Sequence, residues 1–197
     1  MRHFKKPPVY TITNKQSVTD SKPLIKACQA NSYSAQLQVF HTYKDLLYTA
    51  AIRILKRPSL AQDVVQEAFI KGFQRIGDLS EDSNLGAWLY RIATNLAIDA
   101  LRKEQRFDWQ DEEDTTFALS HEEDEIDEEL PLQLMHQALE ELKEQHRLVV
   151  VLYAIEGYSH SEIAEHLELK ESTVRNQYRR AKIALKKAIE QKLKTCP

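Results

Sequence analysis

Three observations predict an all-α protein built as two small helical domains joined by a flexible segment. The 197 residues include only four glycines and six prolines, and four of those prolines (Pro7, Pro8, Pro23 and Pro58) fall within the first 58 positions. Long stretches are therefore left without helix-interrupting residues. Apolar residues recur three and four positions apart through most of the remaining chain, the spacing of one helix face. Between Phe107 and Leu130 that pattern stops, and twelve Asp and Glu occur with no Lys or Arg. A like-charged block with few apolar residues cannot offset the entropy lost on folding, so it reads as a linker. At 42% hydrophobic, the chain can bury a core on either side of it.

The formal net charge of −3 conceals an asymmetry. Removing the twelve linker acids from the 30 Asp and Glu leaves 27 Lys and Arg against 18 acids, so the parts expected to fold are basic and suited to a polyanionic partner. No run of about 18 apolar residues is present, which predicts no membrane span. MRHFKKPPVYTITNK lacks the apolar centre of a secretory signal, so a cytoplasmic protein is expected. Cys28 and Cys196 stand near opposite ends without metal-ligand spacing, and two reduced thiols with no zinc site are expected.

Taken in order, residues 1–21 read as a flexible basic arm. A first domain is placed at 22–106. It opens on a short helix with Leu24, Ile25 and Cys28 inward, followed by a longer one with Leu37, Phe40, Leu47, Ala51 and Ile54 on one face and Pro58 at its end. Ser59 and Gln62 suggest a capping box that starts a third helix through Ile76. Its inward face is Val64, Val65, Ala68, Phe69, Phe73 and Ile76, and its outward face carries Asp63, Gln66, Glu67 and Lys71. Gly77 provides a stop, and DLSEDSN forms a polar loop. The fourth helix, LGAWLYRIATNLAIDALRKEQR, has a buried stripe of Leu89, Ile92, Ala93, Leu96, Ala97, Ala100 and Leu101. Tyr90, Arg91, Thr94, Asn95, Arg102, Lys103 and Arg106 are expected off it. An aromatic ring, an amide and guanidinium groups on one face suit unstacked bases. Trp88 could equally serve that face or the core.

A second domain is expected over 131–197. Helical period resumes through Leu134, Ala138 and Leu142; LVVVLYAI, β-branched but bounded by charged helix formers, reads as a helix ending at Gly157. Ser159 and Glu162 form a capping box opening a helix with Ile163, Ala164 and Leu167 inward, Leu169 lies in a turn, and Val174 joins the same core from the next helix. That last helix presents Ser172, Thr173, Arg175, Asn176, Gln177, Arg179, Arg180 and Lys182, side chains able to reach base edges and phosphates in a major groove. Such a helix-turn-helix would also fit a free-standing regulator dimerising on palindromic sites, or a helical hairpin with a solvated basic face. HSEIAEH supplies His160, Glu162, Glu165 and His166, yet its histidines are six apart, off one helix face, and HExxH is absent. With no nucleophile constellation or phosphate loop either, no enzyme and no cofactor are expected.

Three collinear stretches resemble the extracytoplasmic-function sigma factors of bacterial RNA polymerase, within the sigma-70 family, over about Leu24 to Gln191. DVVQEAFIKGFQRI is similar to region 2.2, which implies that Asp63, Gln66, Glu67 and Lys71 meet the β′ clamp helices of core polymerase. AWLYRIATNLAIDALR is similar to regions 2.3 and 2.4, which melt and read the minus-ten element. The resemblance puts Asn95 where a flipped nontemplate base is held and the loop Ser80 to Asn84 beside it. It thereby nominates Ser83, Asn84, Trp88, Tyr90, Arg91, Asn95 and Arg102 for that element. The helix-turn-helix is similar to region 4.2, the minus-thirty-five reader, in a domain that meets the β flap. An anti-sigma factor is a further implied partner. The chain departs from the common pattern at Glu168, where glycine is usual, and at Lys170, where a capping Ser is usual. Asn176 and Gln177 replace a Ser-Arg pair, and both favour adenine.

Overall fold

The computed structural model describes residues 21–104 and 132–195. The expected acidic linker, Cys196 and all of the expected arm but Ser21, which opens a helix, fall outside the described residues. Among the described residues every regular element is helical. The chain divides into two compact units, residues 1–106 with 154–157, and residues 107–153 with 158–197.

In the first unit, α1 (Ser21–Gln29), α2 (Tyr33–Leu55), α3 (Pro58–Gln74) and α4 (Leu85–Glu104) form a bundle in which α2, α3 and α4 pack on one another. Ser32 caps α2 by accepting the Ala35 N–H, and Lys56 ends it in the left-handed region at φ 53°. The buried stripe of α2 is Ala35, Val39, Leu47, Ala50, Ala51, Ile54 and Leu55. Leu37, expected inside, is 42% exposed, because it lies two residues, about 200° of helix, from Val39. The expected Ser59–Gln62 capping box is also absent. Arg57 is the N-cap without a side-chain capping bond and Pro58 occupies the first turn, so ring-fixed φ rather than a hydroxyl starts α3. That helix buries Ala61, Val64, Val65, Ala68, Phe69 and Gly72. It ends at Gln74, before Gly77, and a 3-10 turn (Ile76–Asp78) carries the chain toward α4.

In the second unit, α8 (Glu171–Thr195) packs against α5 (Leu132–Glu141), α6 (Glu144–Val150) and α7 (His160–Leu167). The segment LVVVLYAI is helical as expected, but only to Val150 as an α-helix; Val151–Ile155 widens into a π turn. Gly157 at φ 73° then turns the chain. The Ser159–Glu162 capping box is present in both directions: the Ser159 side chain accepts the Glu162 N–H, and the Glu162 carboxylate accepts the Ser159 N–H at 2.8 Å. Ile163, Ala164, Leu167 and Val174 are buried together as the sequence predicts. Lys192 Nζ lies 2.6 Å from Glu141 Oε1, joining the far end of α8 to α5.

Glu168 closes α7 at φ 57°, ψ 41°, a left-handed conformation that costs a side-chain-bearing residue about 1–2 kcal/mol. Part of that is returned as unfolded-chain entropy when glycine replaces it. Glu168→Gly is therefore expected to stabilise the α7–α8 turn by about 0.5–1 kcal/mol. Amide hydrogen exchange in α7 and α8 checks this, and faster exchange in the variant would contradict it.

Candidate nucleic-acid and polymerase interfaces

Three helix faces carry most of the nominated side chains, exposed on α3 and partly exposed on α4 and α8, each opposite a packed face. On α3, Asp63, Gln66, Glu67 and Lys71 are all exposed, at steps of three, one and four along one side of the helix. Glu67 and Lys71 pair at 2.7 Å in the favourable i,i+4 order. Ile70, in the middle of this polar face, is 57% exposed. It was missed in the sequence because one apolar residue out of register carries no periodic signal.

On α4 the buried positions are Leu85, Gly86, Leu89, Ala93, Thr94, Ala97, Ile98 and Leu101. The remaining arc carries Trp88, Arg91, Asn95 and Arg102, which follow one another at steps of three, four and seven, a single strip about 21 Å long at the helical rise. All four are partly exposed. Tyr90 does not share that strip. It lies on the side of Gly86, Ala93 and Ala97, roughly 140° from Asn95, and burial pushes its phenol pKa up. Thr94, also expected outside, is 1% exposed, its hydroxyl donating to the Arg91 carbonyl at 3.2 Å. That local bond is what lets a polar residue sit in the core. Ile92, Leu96 and Ala100, expected in the stripe, sit at its margins half-buried.

The loop before α4 holds Ser83 and Asn84. The Asn84 Oδ1 accepts the Ala87 N–H at 2.9 Å, so this side chain caps α4. Ser83 is held in a turn by donating its N–H to the Ser80 carbonyl at 2.9 Å.

On α8, Ser172, Arg175, Asn176 and Arg179 are exposed along one face, with Arg180 and Lys182 half-exposed at its edges. Thr173 and Gln177 are 7% and 5% exposed. They fall on the arc of Val174 and Ala181 that packs inward, so the expectation that they reach a groove is corrected by the helix phase. Ile183, 65% exposed, continues the outer face four residues beyond Arg179. Ser172 and Thr173 both lie within α8, so neither stands at the N-cap position before Glu171, which Lys170 holds. Glu171 instead supplies a carboxylate to the first turn, favourable for the helix dipole, and binds Arg175 at 2.5 and 3.1 Å.

Behind α8, His160 stacks on Tyr153 (centroids 4.2 Å apart, planes at 12°) and meets Tyr178 edge-on at 5.4 Å. His166 meets buried Tyr158 edge-on at 5.6 Å. With Glu162 committed to the cap, HSEIAEH works as packing and capping. Among the described residues no group of three or more His, Cys, Asp and Glu could hold a metal. None of the described helices is long and apolar enough to cross a membrane.

The two sequence-family models that match are Sigma-70 region 2 over residues 39–107 and Sigma-70 region 4 over residues 132–185. The ECF RNA polymerase sigma factor SigW of Bacillus subtilis is 32% identical over 179 residues, covering 85% of this chain and 96% of the relative. The chain belongs to the extracytoplasmic-function sigma factors. The RNA polymerase sigma-H factor of Pseudomonas aeruginosa is 32% identical over 75% of this chain and 82% of its own. The ECF RNA polymerase sigma-E factor of Escherichia coli K12 is 31% identical over 65% and 73%. α3 and α4 fall within the region 2 match, and α7 with the first half of α8 within the region 4 match. The protein is thus an RNA polymerase sigma factor, and a free-standing regulator is not favoured.

Two histidines of the region 4 unit are held below the ordinary value near 6.5. For His160 the causes are burial and then the Arg175 charge, opposed by Glu171; for His146 they are burial and then the charges of Lys143 and Arg180. A lowered folded pKa means the unfolded chain takes the proton first, so the stability they contribute is complete above about pH 6.5 and is lost as pH falls through the folded values. Exchange protection of α7 and α8 is expected to be weaker at pH 5.5 than at pH 7.5 after correction for intrinsic rates. The difference should shrink in a His146→Gln/His160→Gln variant. Equal protection at both values would contradict the assignment.

Proposed function

We propose that this sigma factor docks on core polymerase through the outer face of α3, opens and reads the minus-ten element with the outer strip of α4, and reads the minus-thirty-five element with α8. The single observation that carries this is the sorting of side chains by helix phase. The residues on α3, α4 and α8 that the family resemblance nominates are exposed or partly exposed on three faces, while Tyr90, Thr173 and Gln177 turn away. An acidic, amide-rich face with one exposed Ile suits a protein partner: apolar contact at the centre, and a polar rim that chooses the partner by charge. A strip of Trp, Arg, Asn and Arg suits a melted strand, because rings and guanidinium planes stack on bases while an amide bonds one base edge.

On α8, Asn176 has the geometry for adenine, and Arg175 and Arg179 reach guanine edges or phosphates. Glu171 holds Arg175 before DNA arrives, so binding exchanges a carboxylate for a phosphate or base. The chain contributes recognition and strand separation, leaves bond chemistry to the polymerase, and works where the chromosome is, in the cytoplasm. The segment 107–130 connects the two readers, and its charge suits a channel built for nucleic acid.

Run-off transcription with core polymerase, this chain and a genomic fragment pool tests the reading, and initiation at discrete start sites is expected. Glu67→Lys and Ile70→Asp are expected to weaken core binding about tenfold or more. Unchanged binding of both would contradict the α3 interface. Asn95→Ala is expected to lower permanganate reactivity of unpaired thymines about tenfold with recruitment retained, a loss near that of one buried base contact. Arg179→Ala should reduce initiation about five- to tenfold and lower the salt dependence of promoter binding, as for a lost phosphate or base contact.

A further inference from the structure

We propose that α1 is the positioning element of the minus-ten loop, with Gln29 fixing the loop's base and Lys22 and Lys26 cancelling the charge it would otherwise present to DNA. The inference rests on the reading above, in which the loop from Ser80 to Asn84 borders the melted strand. All of α1 lies well before residue 39, where the region 2 match begins.

Five contacts carry it. The half-buried Gln29 side chain donates from Nε2 to two carbonyls, Ile76 O at 3.1 Å and Leu79 O at 2.9 Å, which close the 3-10 turn and begin the loop. Lys26 Nζ lies 3.2 Å from Glu81 Oε2. Lys22 Nζ lies 3.2 Å from Asp82 Oδ1 and 3.7 Å from Glu81 Oε2. The far end of the loop is fixed by the Asn84 cap on α4. One helix therefore holds the first end and the middle of a loop whose last residue is built into the helix that reads DNA.

The lysine pairs are exposed, with side chains 39–82% accessible, and such pairs add little to folding. Their consequence is electrostatic. Glu81 and Asp82 are adjacent carboxylates in a loop that must come within a Debye length, about 8 Å at physiological salt, of phosphates. Unpaired, they would repel the strand that the neighbouring Ser83 must approach. With two ammonium groups beside them the loop meets DNA close to neutral, and the Gln29 bonds keep it from swinging as the pairs exchange with solvent.

The test uses holoenzyme reconstituted from core polymerase and the full chain, on a promoter series varied at the minus-ten bases. Melting curves serve as the control for folding. Lys22→Glu/Lys26→Glu is expected to lower promoter opening by about three- to tenfold, more at low salt, with core binding unchanged. Adding Glu81→Lys/Asp82→Lys restores opening. Gln29→Ala is expected to compress the discrimination between minus-ten bases by about tenfold at unchanged core affinity. If both the lysine and the Gln29 variants open and discriminate as the parent does while Ser83→Ala alters discrimination, the role of α1 is overturned and the placement of the loop stands. If Ser83→Ala is also silent, the placement itself is overturned.

Discussion

The close approach of α4 to its neighbours constrains everything the first unit does. A Cβ at Gly72 of α3 would come within 2.6 Å of Leu89 Cδ2, and one at Gly86 within 2.6 Å of Tyr43 Cε1 on α2. Bare backbone at these two crossings lets α4 seat against both helices, and close-packed cores permit few alternative seatings. That seating fixes rotation as well as distance. With Leu89, Ala93, Ala97 and Leu101 committed to the core, Trp88, Arg91, Asn95 and Arg102 are left on the outer arc. A turn of one residue, 100°, would bury part of that strip and expose apolar surface in its place.

The second unit solves the same problem differently. No glycine marks the seating of α8; Val174, Ala181, Leu185, Ala188 and Ile189 form a continuous buried stripe, with Thr173 and Gln177 at its upper edge. The left-handed Glu168 turn and the reciprocal Ser159–Glu162 cap set where α7 stops and starts, and so the angle at which α8 leaves the turn. Replacing the usual capping serine by Lys170 shifts the work at the head of α8 onto Glu171, whose carboxylate serves the helix terminus and holds Arg175 at once. A residue that stabilises the head of α8 thus also restrains one of the arginines on its outer face.

Much of this was legible in the sequence because helix period and capping chemistry are local. The number and order of the main helices, the capping box at Ser159, the end at Gly157 and the outward face of α3 all follow from spacing. The misplaced faces share one physical origin, which is that periodicity in a mixed stretch leaves the rotational phase open by a residue. Leu37 is expected inside and Val39 holds that place, Tyr90 and Thr94 are expected off the buried stripe of α4, and Thr173 and Gln177 on the outer face of α8. In each case composition favoured the choice and packing decided against it. Thr94 could be buried because its hydroxyl finds a carbonyl one turn back, a compensation invisible until the helix is built. The tethering of the loop by α1 joins residues 47 to 60 positions apart, beyond any local pattern.

The central claim is that helix phase assigns three faces to three partners. Photo-cross-linking from single p-benzoylphenylalanine substitutions at Ile70, Arg91 and Arg179, in holoenzyme bound to a promoter, tests it in one gel. The account expects adducts to the polymerase β′ subunit from Ile70, to minus-ten nontemplate DNA from Arg91, and to minus-thirty-five DNA from Arg179. DNA adducts from Ile70, or polymerase adducts alone from Arg91 and Arg179, would contradict it.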